Sequence, residues 1–327
     1  MDIDKSFEQK LIQASDKEFE KLALQVFQYQ YKNNAIYHQY ISSLGVNVEN
    51  INQLEEIPFL PIQFFKSHSV KSGTWNEEEV FESSGTTGQI TSKHYLKSSA
   101  FYRQNALNIF NQSIGNPSDY HIMALLPSYL ERGNSSLVKM VKFFIDESRS
   151  EFSGFYLNNH KKLVDDINSA LKTEKRILLI GVTFALLDIA EKFNIDLAGH
   201  IIMETGGMKG RRKEMTRMEV HTVLKKSFNV ATVYSEYGMT ELLSQAYSAG
   251  NGLYKSPDTM RILLRDLYDP FYISNSVRQG GINVIDLANV HTCSFIETQD
   301  IGRISGEFFE VLGRYDNSEL RGCNLMI

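Results

Sequence analysis

A chain of 327 residues with 42% hydrophobic content and 6 prolines can bury a large core, or two cores in contact. Its net charge of -5 and pI near 5.9 exclude a broad basic footprint for nucleic acid, yet leave room for a local pocket that takes a small anion. Two cysteines, Cys293 and Cys323, give neither a disulfide framework nor metal-ligand spacing, and the 8 scattered histidines lack H-E-x-x-H, so no zinc is expected and a reducing cytosol is the natural setting.

The amino terminus opens on charged residues without an apolar signal core, and no apolar run approaches the ~20 residues that cross a bilayer. Residues 5–45 read as helices: Phe19, Leu22, Leu24, Val26, Phe27 and Tyr31 recur near a helical period, with Asp16 as the N-cap. "EEIPFLPIQFFKSHSV" carries two prolines and a dense apolar cluster, which predicts an extended segment.

Next comes "FESSGTTGQITSKHYL". Short hydroxyls and glycines from Ser83 to Gly88, with Lys93 soon after, form a surface on which N–H and O–H groups can converge on one anion. A phosphate suits it, although such runs also make plain flexible loops. Neither the Walker spacing nor G-x-G-x-x-G is present.

Beyond the loop, apolar strands alternate with amphipathic helices: "YHIMALLP", "RILLIGV", "GHIIMETGG" and "NVATVYSEYG" as strands, separated by helical stretches. This predicts an α/β body with a mostly parallel sheet flanked by helices. From about residue 252 the helical period fades into short strands broken by Asp, Asn and Gly, a smaller β-rich subdomain. The division expected is one domain over 1–327, with a helical segment 1–50, a body 51–251 and the β-rich part 252–327. Ligands in open α/β sheets gather beyond the carboxyl ends of strands, where this chain places Thr205-Gly206-Gly207 and "YSEYGMTE".

The ordered set SSGTTG, Lys93, Gly206-Gly207, YGMTE at 237–241, Asp300 in "TQDIGRI" and Arg314 in "GRYDN" resembles the adenylate-forming superfamily. Within it, "IPFLPIQFFKSHSV", "LPSYLERGNSSLVKMV", "METGGMKGRRKEM", "YSEYGMTELLSQAY" and "LRGCNLMI" are similar to the LuxE-type acyl-protein synthetases, from about residue 17 to the end. The resemblance implies an enzyme that activates a carboxylic, in this family fatty, acid with ATP and passes the acyl group through its own cysteine to an acyl-reductase or carrier partner. It implies that Ser84, Gly85, Thr86, Thr87, Gly88 and Lys93 grip phosphates, that Gly206, Gly207, Tyr237 and Gly238 flank adenine, and that Thr240 touches the α-phosphate. Glu241 would hold Mg²⁺, while Asp300 would meet the ribose and Arg314 the ribose or a phosphate.

Members of the superfamily continue past the "GRYDN" hinge into a small mobile domain with a catalytic lysine, whereas this sequence stops at Ile327. Lys209, Arg211, Arg212 and Lys213 are a substitute charge cluster, or a solvated helix start. Cys323 lies beside Gly322 and near Arg321, whose charge favours the thiolate, so it is the expected acyl acceptor; Cys293 alternates with apolar residues and reads as buried in a strand. An acid–CoA ligase of the phenylacetate type and a non-catalytic nucleotide-binding subunit of a reductase are the alternatives.

Overall fold

A computed structural model describes residues 3–83, 90–127, 133–206, 215–274 and 276–315. In chain order the elements are helices α1 (Lys5–Ile12), α2 (Asp16–Asn33) and α3 (Ala35–Ser43), strand β1 (Leu60–Pro61), the short helix α4 (Phe64–Ser67) and the ribbon β2 (Glu79–Glu82) and β3 (Lys93–Leu96). There follow α5 (Ser99–Ser113), β4 (Tyr120–Leu125), α6 (Ser136–Ser148), β5 (Gly154–Phe155), α7 (His160–Ala170), β6 (Arg176–Val182), α8 (Thr183–Lys192), β7 (Ile201–Thr205) and α9 (Arg217–Phe228). Strands β8 (Tyr234–Tyr237), β9 (Ala246–Ser248), β10 (Tyr254–Lys255), β11 (Met260–Arg265), β12 (Gln279–Asp286), β13 (Phe295–Ser305) and β14 (Phe308–Arg314) complete the chain. No helix among the described residues is long and apolar enough to cross a membrane.

The contacts divide the chain into two units, 1–76 with 258–327, and 77–257. The first therefore joins the N-terminal helices to the C-terminal strands.

In the first unit β11–β12–β13–β14 pair antiparallel and β1 lies parallel to β13. The proline-rich segment is thus extended where it meets β13, then turns into α4. Phe27, Tyr37 and Phe59 surround Phe295 at centroid distances of 5.9, 6.1 and 6.2 Å. Offset and edge contacts of this kind add to the burial that brings α2 and α3 onto the sheet. The N-cap of α2 is Ser15, one residue before the expected Asp16: Ser15 and Glu18 form a reciprocal capping box, and Asp16, already in the first turn, meets Arg261 at 2.6 Å.

One polar residue in α2 organises this core. Gln30 is fully buried, donates to the carbonyls of Asn289 and Val290 at 3.0 Å each, and accepts from the Ser294 N–H at 2.9 Å. Asn34 extends the clamp by donating to Thr292 O at 2.9 Å. The segment 287–295 is irregular and sealed, so its backbone groups need these side chains as partners.

In the second unit the strands run in the order β10-β9-β8-β7-β6-β4-β5. β8, β7, β6, β4 and β5 are parallel, and β9 and β10 antiparallel. β4 and β7 are buried at every position, and β6 at all but its first, as expected of strands covered by helices. The mostly parallel sheet read from the sequence is present. "NVATVYSEYG" is shorter as a strand than expected, with only Tyr234–Tyr237 in the ladder.

Replacing Gln30 with Leu should cost about 3 kcal/mol, the order expected when two carbonyls and one N–H lose buried partners. Urea unfolding of Gln30→Leu against wild type measures it; a loss under 1 kcal/mol would mean the segment finds other partners.

Candidate active site

The second unit builds a polar cluster at the carboxyl ends of β6, β7 and β8. The parallel register pairs Val182 with Thr205 and Thr205 with Glu236, so Gly206 emerges beside the start of "YGMTE". Two motifs about thirty residues apart in sequence become neighbours. Gly206 has φ of 66°, a turn that favours glycine, and Gly206 and Gly238 are exposed while Tyr237 and Glu241 are buried. At Gly238 a Cβ would collide with Glu236 Oε1, so a larger residue there would have to displace that carboxyl.

The ribbon β2–β3 reaches the same place. Ser83 and Ser92 close its base through Ser83 N–H to Ser92 O at 3.1 Å and Ser92 N–H to Ser83 Oγ at 2.9 Å. Lys93 stands opposite Glu82, 3.9 Å from its carboxylate, with half of its side chain exposed. The next residue, His94, is buried and its Nδ1 meets Thr240 O at 2.7 Å. A carbonyl only accepts, so Nδ1 carries the hydrogen; burial pushes the imidazole pKa down to about 4, and the ring is neutral. His94 thereby fastens the strand leaving the Ser/Thr/Gly loop to the turn bearing Thr240 and Glu241.

Two carboxyl groups to which the sequence assigns no role lie within this cluster. Glu204 on β7 accepts from Ser235 Oγ at 2.7 Å and Thr183 Oγ1 at 3.1 Å, and faces His221 and Arg217 of α9 at 3.6 and 3.7 Å. Glu236 accepts from Thr205 Oγ1, with no ion pair to it among the described residues; burial, with a smaller push from Glu204, raises its pKa to about 7. Nothing in the local sequence marked either one, because a glutamate next to an apolar strand reads as solvent-facing.

In the first unit Asp300 and Arg314 pair across β13 and β14, with Nε to Oδ1 at 3.3 Å. Asp300 is buried and Arg314 two-thirds exposed, so both are strand residues forming one ion pair rather than a turn aspartate and a separate surface arginine. Ser84, Gly85, Thr86, Thr87, Gly88, Gly207 and Cys323, with the cluster Lys209, Arg211, Arg212 and Lys213, lie outside the described residues. Cys293 is fully buried between a 3-10 turn and β13, its thiol pushed up to about 12 by burial.

The acyl-protein synthetase, LuxE, family model matches residues 4–327. The chain belongs to this family of ligases. Two curated relatives, each called long-chain-fatty-acid–luciferin-component ligase, are 24% identical: that of Aliivibrio fischeri covers 94% of this chain and 86% of its own length, that of Vibrio harveyi 93% and 86%. Among solved structures, 2-hydroxyisobutyryl-CoA ligase in complex with 2-HIB-AMP and CoA superposes with a TM-score of 0.67 at 14% identity over 92% of this chain. ATP-bound MatB from Rhodopseudomonas palustris gives 0.53 at 17% over 72%. The chain spans 68% of the former's length and 47% of the latter's. The fold of this LuxE-family chain is that of adenylate-forming ligases.

Two pH effects of opposite sign follow. His94 is neutral when folded and takes a proton more readily unfolded, so its contribution, about 3 kcal/mol, is present above pH 6.5 and is lost as pH falls toward 4. His94→Asn, whose amide reaches the same carbonyl without titrating, should flatten the acid side of the melting-temperature profile. Glu236, facing Glu204, Tyr247 and Tyr254, holds its proton more tightly when folded, so stability falls as pH rises from 4.5 through 7. Glu236→Gln should therefore match wild type at pH 4.5 and melt several degrees higher at pH 8; equal melting at pH 8 would contradict a raised carboxyl pKa.

Proposed function

We propose that this chain activates a fatty acid with ATP, in the cytoplasm, and relays the acyl group to a protein. The carboxylate oxygen of the acid attacks the α-phosphorus, the bond to the β-phosphate oxygen breaks, and pyrophosphate leaves. The Cys323 thiolate then attacks the acyl carbon, AMP departs with the electron pair, and the thioester is delivered to a partner such as an acyl reductase. The observation that carries this reading is the junction of Gly206, the YGMTE turn and, through His94, the strand after the Ser/Thr/Gly loop.

The parts have separate duties. Thr240 and Lys93 orient and neutralise phosphate, and the Tyr237 ring and the bare backbone at Gly206 leave a surface for a flat base. Ser84, Gly85, Thr86, Thr87 and Gly88 complete the phosphate cradle with their N–H and O–H donors, and Gly207 and Gly238 keep the base side free of side chains. Asp300, oriented by Arg314, is a double acceptor for ribose hydroxyls.

Glu241 would hold Mg²⁺. Among the described residues no group of three or more His, Cys, Asp or Glu could hold a metal ion, which fits a hard cation bound by one carboxylate and substrate phosphates rather than by a protein cage. When bound it supplies charge neutralisation at the phosphates.

Acid-dependent ATP–pyrophosphate exchange across a series of acyl chain lengths tests activation. Glu241→Ala should lower the exchange rate by a factor on the order of 100, the size usual for losing one electrostatic contact in the transition state, without changing the melting temperature by more than a few degrees. Intact mass after ATP, Mg²⁺ and acid should increase by one acyl group, and Cys323→Ser should abolish that increase while exchange persists. Full acylation of Cys323→Ser, or an acyl group found only on added CoA, would refute the relay.

A further inference from the structure

We infer that Glu204 is a positioning residue for the nucleotide, a role that rests on the activation reading above. Its bonds run outward from one carboxylate to the two places where that reading seats the base. On one side Thr183 Oγ1, which donates to Glu204 at 3.1 Å, also lies 3.0 Å from Gly206 O and can share its hydrogen between the two acceptors. The Gly206 turn, with its left-handed φ, is thereby referred to Glu204.

On the other side Arg217, 3.7 Å from Glu204, lays its guanidinium over the ring of Tyr254 at 5.4 Å, and Tyr254 meets Tyr237 at a centroid distance of 5.9 Å. Gly252, at φ of 69°, permits this path: a Cβ there would stand 2.7 Å from Arg217 Nη1. Ser235, two residues before Tyr237, donates to Glu204 directly at 2.7 Å. The same carboxylate therefore sets the end of β6, the turn after β7, the face of β8 that bears Tyr237, and the start of α9.

The charge is needed as well as the shape. Glu204 is 7% exposed, and a buried carboxylate survives only with donors and a cation; it has two hydroxyl donors, a guanidinium and the imidazole of His221. Glu236, on the opposite side chain row of the neighbouring strand, has no ion pair among the described residues, so the two carboxyl groups are not interchangeable. Glu204 touches no substrate under this reading and acts only through Gly206 and Tyr237.

The test is calorimetry of ATP binding together with exchange kinetics on Glu204→Ala, Glu204→Gln, Arg217→Met and the Glu204→Ala, Arg217→Met pair. Glu204→Ala should weaken ATP binding and raise KM for ATP at least tenfold, with kcat and KM for the acid within about threefold. Glu204→Gln, which retains an acceptor for the hydroxyls, should recover part of the loss, and the pair should be no worse than the worse single variant because both cut one path. Should Glu204→Ala not fold, Glu204→Gln and Arg217→Met carry the same comparison.

Unchanged ATP affinity in folded Glu204→Ala, parallel rises of KM for ATP and acid, or additive losses in the pair would overturn the inference and leave the activation reading standing. A wild type that binds no ATP would overturn both.

Discussion

The parallel register of β6, β7 and β8 is the constraint on which the candidate site depends. Sliding β8 by one residue against β7 would exchange Ser235 and Glu236 between the two faces, take the acceptor of Ser235 away, and turn Tyr237 to the opposite side. The register is pinned by apolar packing along β6 and β7 and by hydroxyl–carboxylate bonds at the strand ends, where packing alone no longer discriminates. Polar bonds at this edge are therefore structural as well as chemical, and their energetic weight comes from being out of water.

A second constraint is imported from outside the sheet. His94 belongs to a two-stranded ribbon, and its neutral ring spans from that ribbon to Thr240. Ser83 and Ser92 pair on either side of the Ser/Thr/Gly run, which fixes where the chain leaves and rejoins the ribbon.

Much of this was legible in the sequence, and for physical reasons. Strands β4, β6 and β7 announce themselves as continuous apolar runs because helices cover them, and YGMTE and the Gly206 turn stand out as polar, glycine-bearing endings. Gln30, Asn34 and His94 do not stand out, since a polar side chain in a helix or ribbon reads as solvated until its distant carbonyl partner is known. Glu204 and Glu236 were invisible for another reason: their meaning depends on which residue of the next strand stands opposite, and that is a property of register rather than of composition. The β8 boundary failed because "NVATV" has strand-like residues, yet the ladder to β7 begins only at Tyr234, opposite Met203.

Cys293 has a practical corollary. Sealed in the first unit with its thiol held protonated up to about pH 12, it offers no nucleophile to a maleimide or iodoacetamide in neutral buffer. Of the chain's two sulfhydryls, this one is thus masked by the fold itself, and its labelling becomes a reporter of unfolding in the first unit.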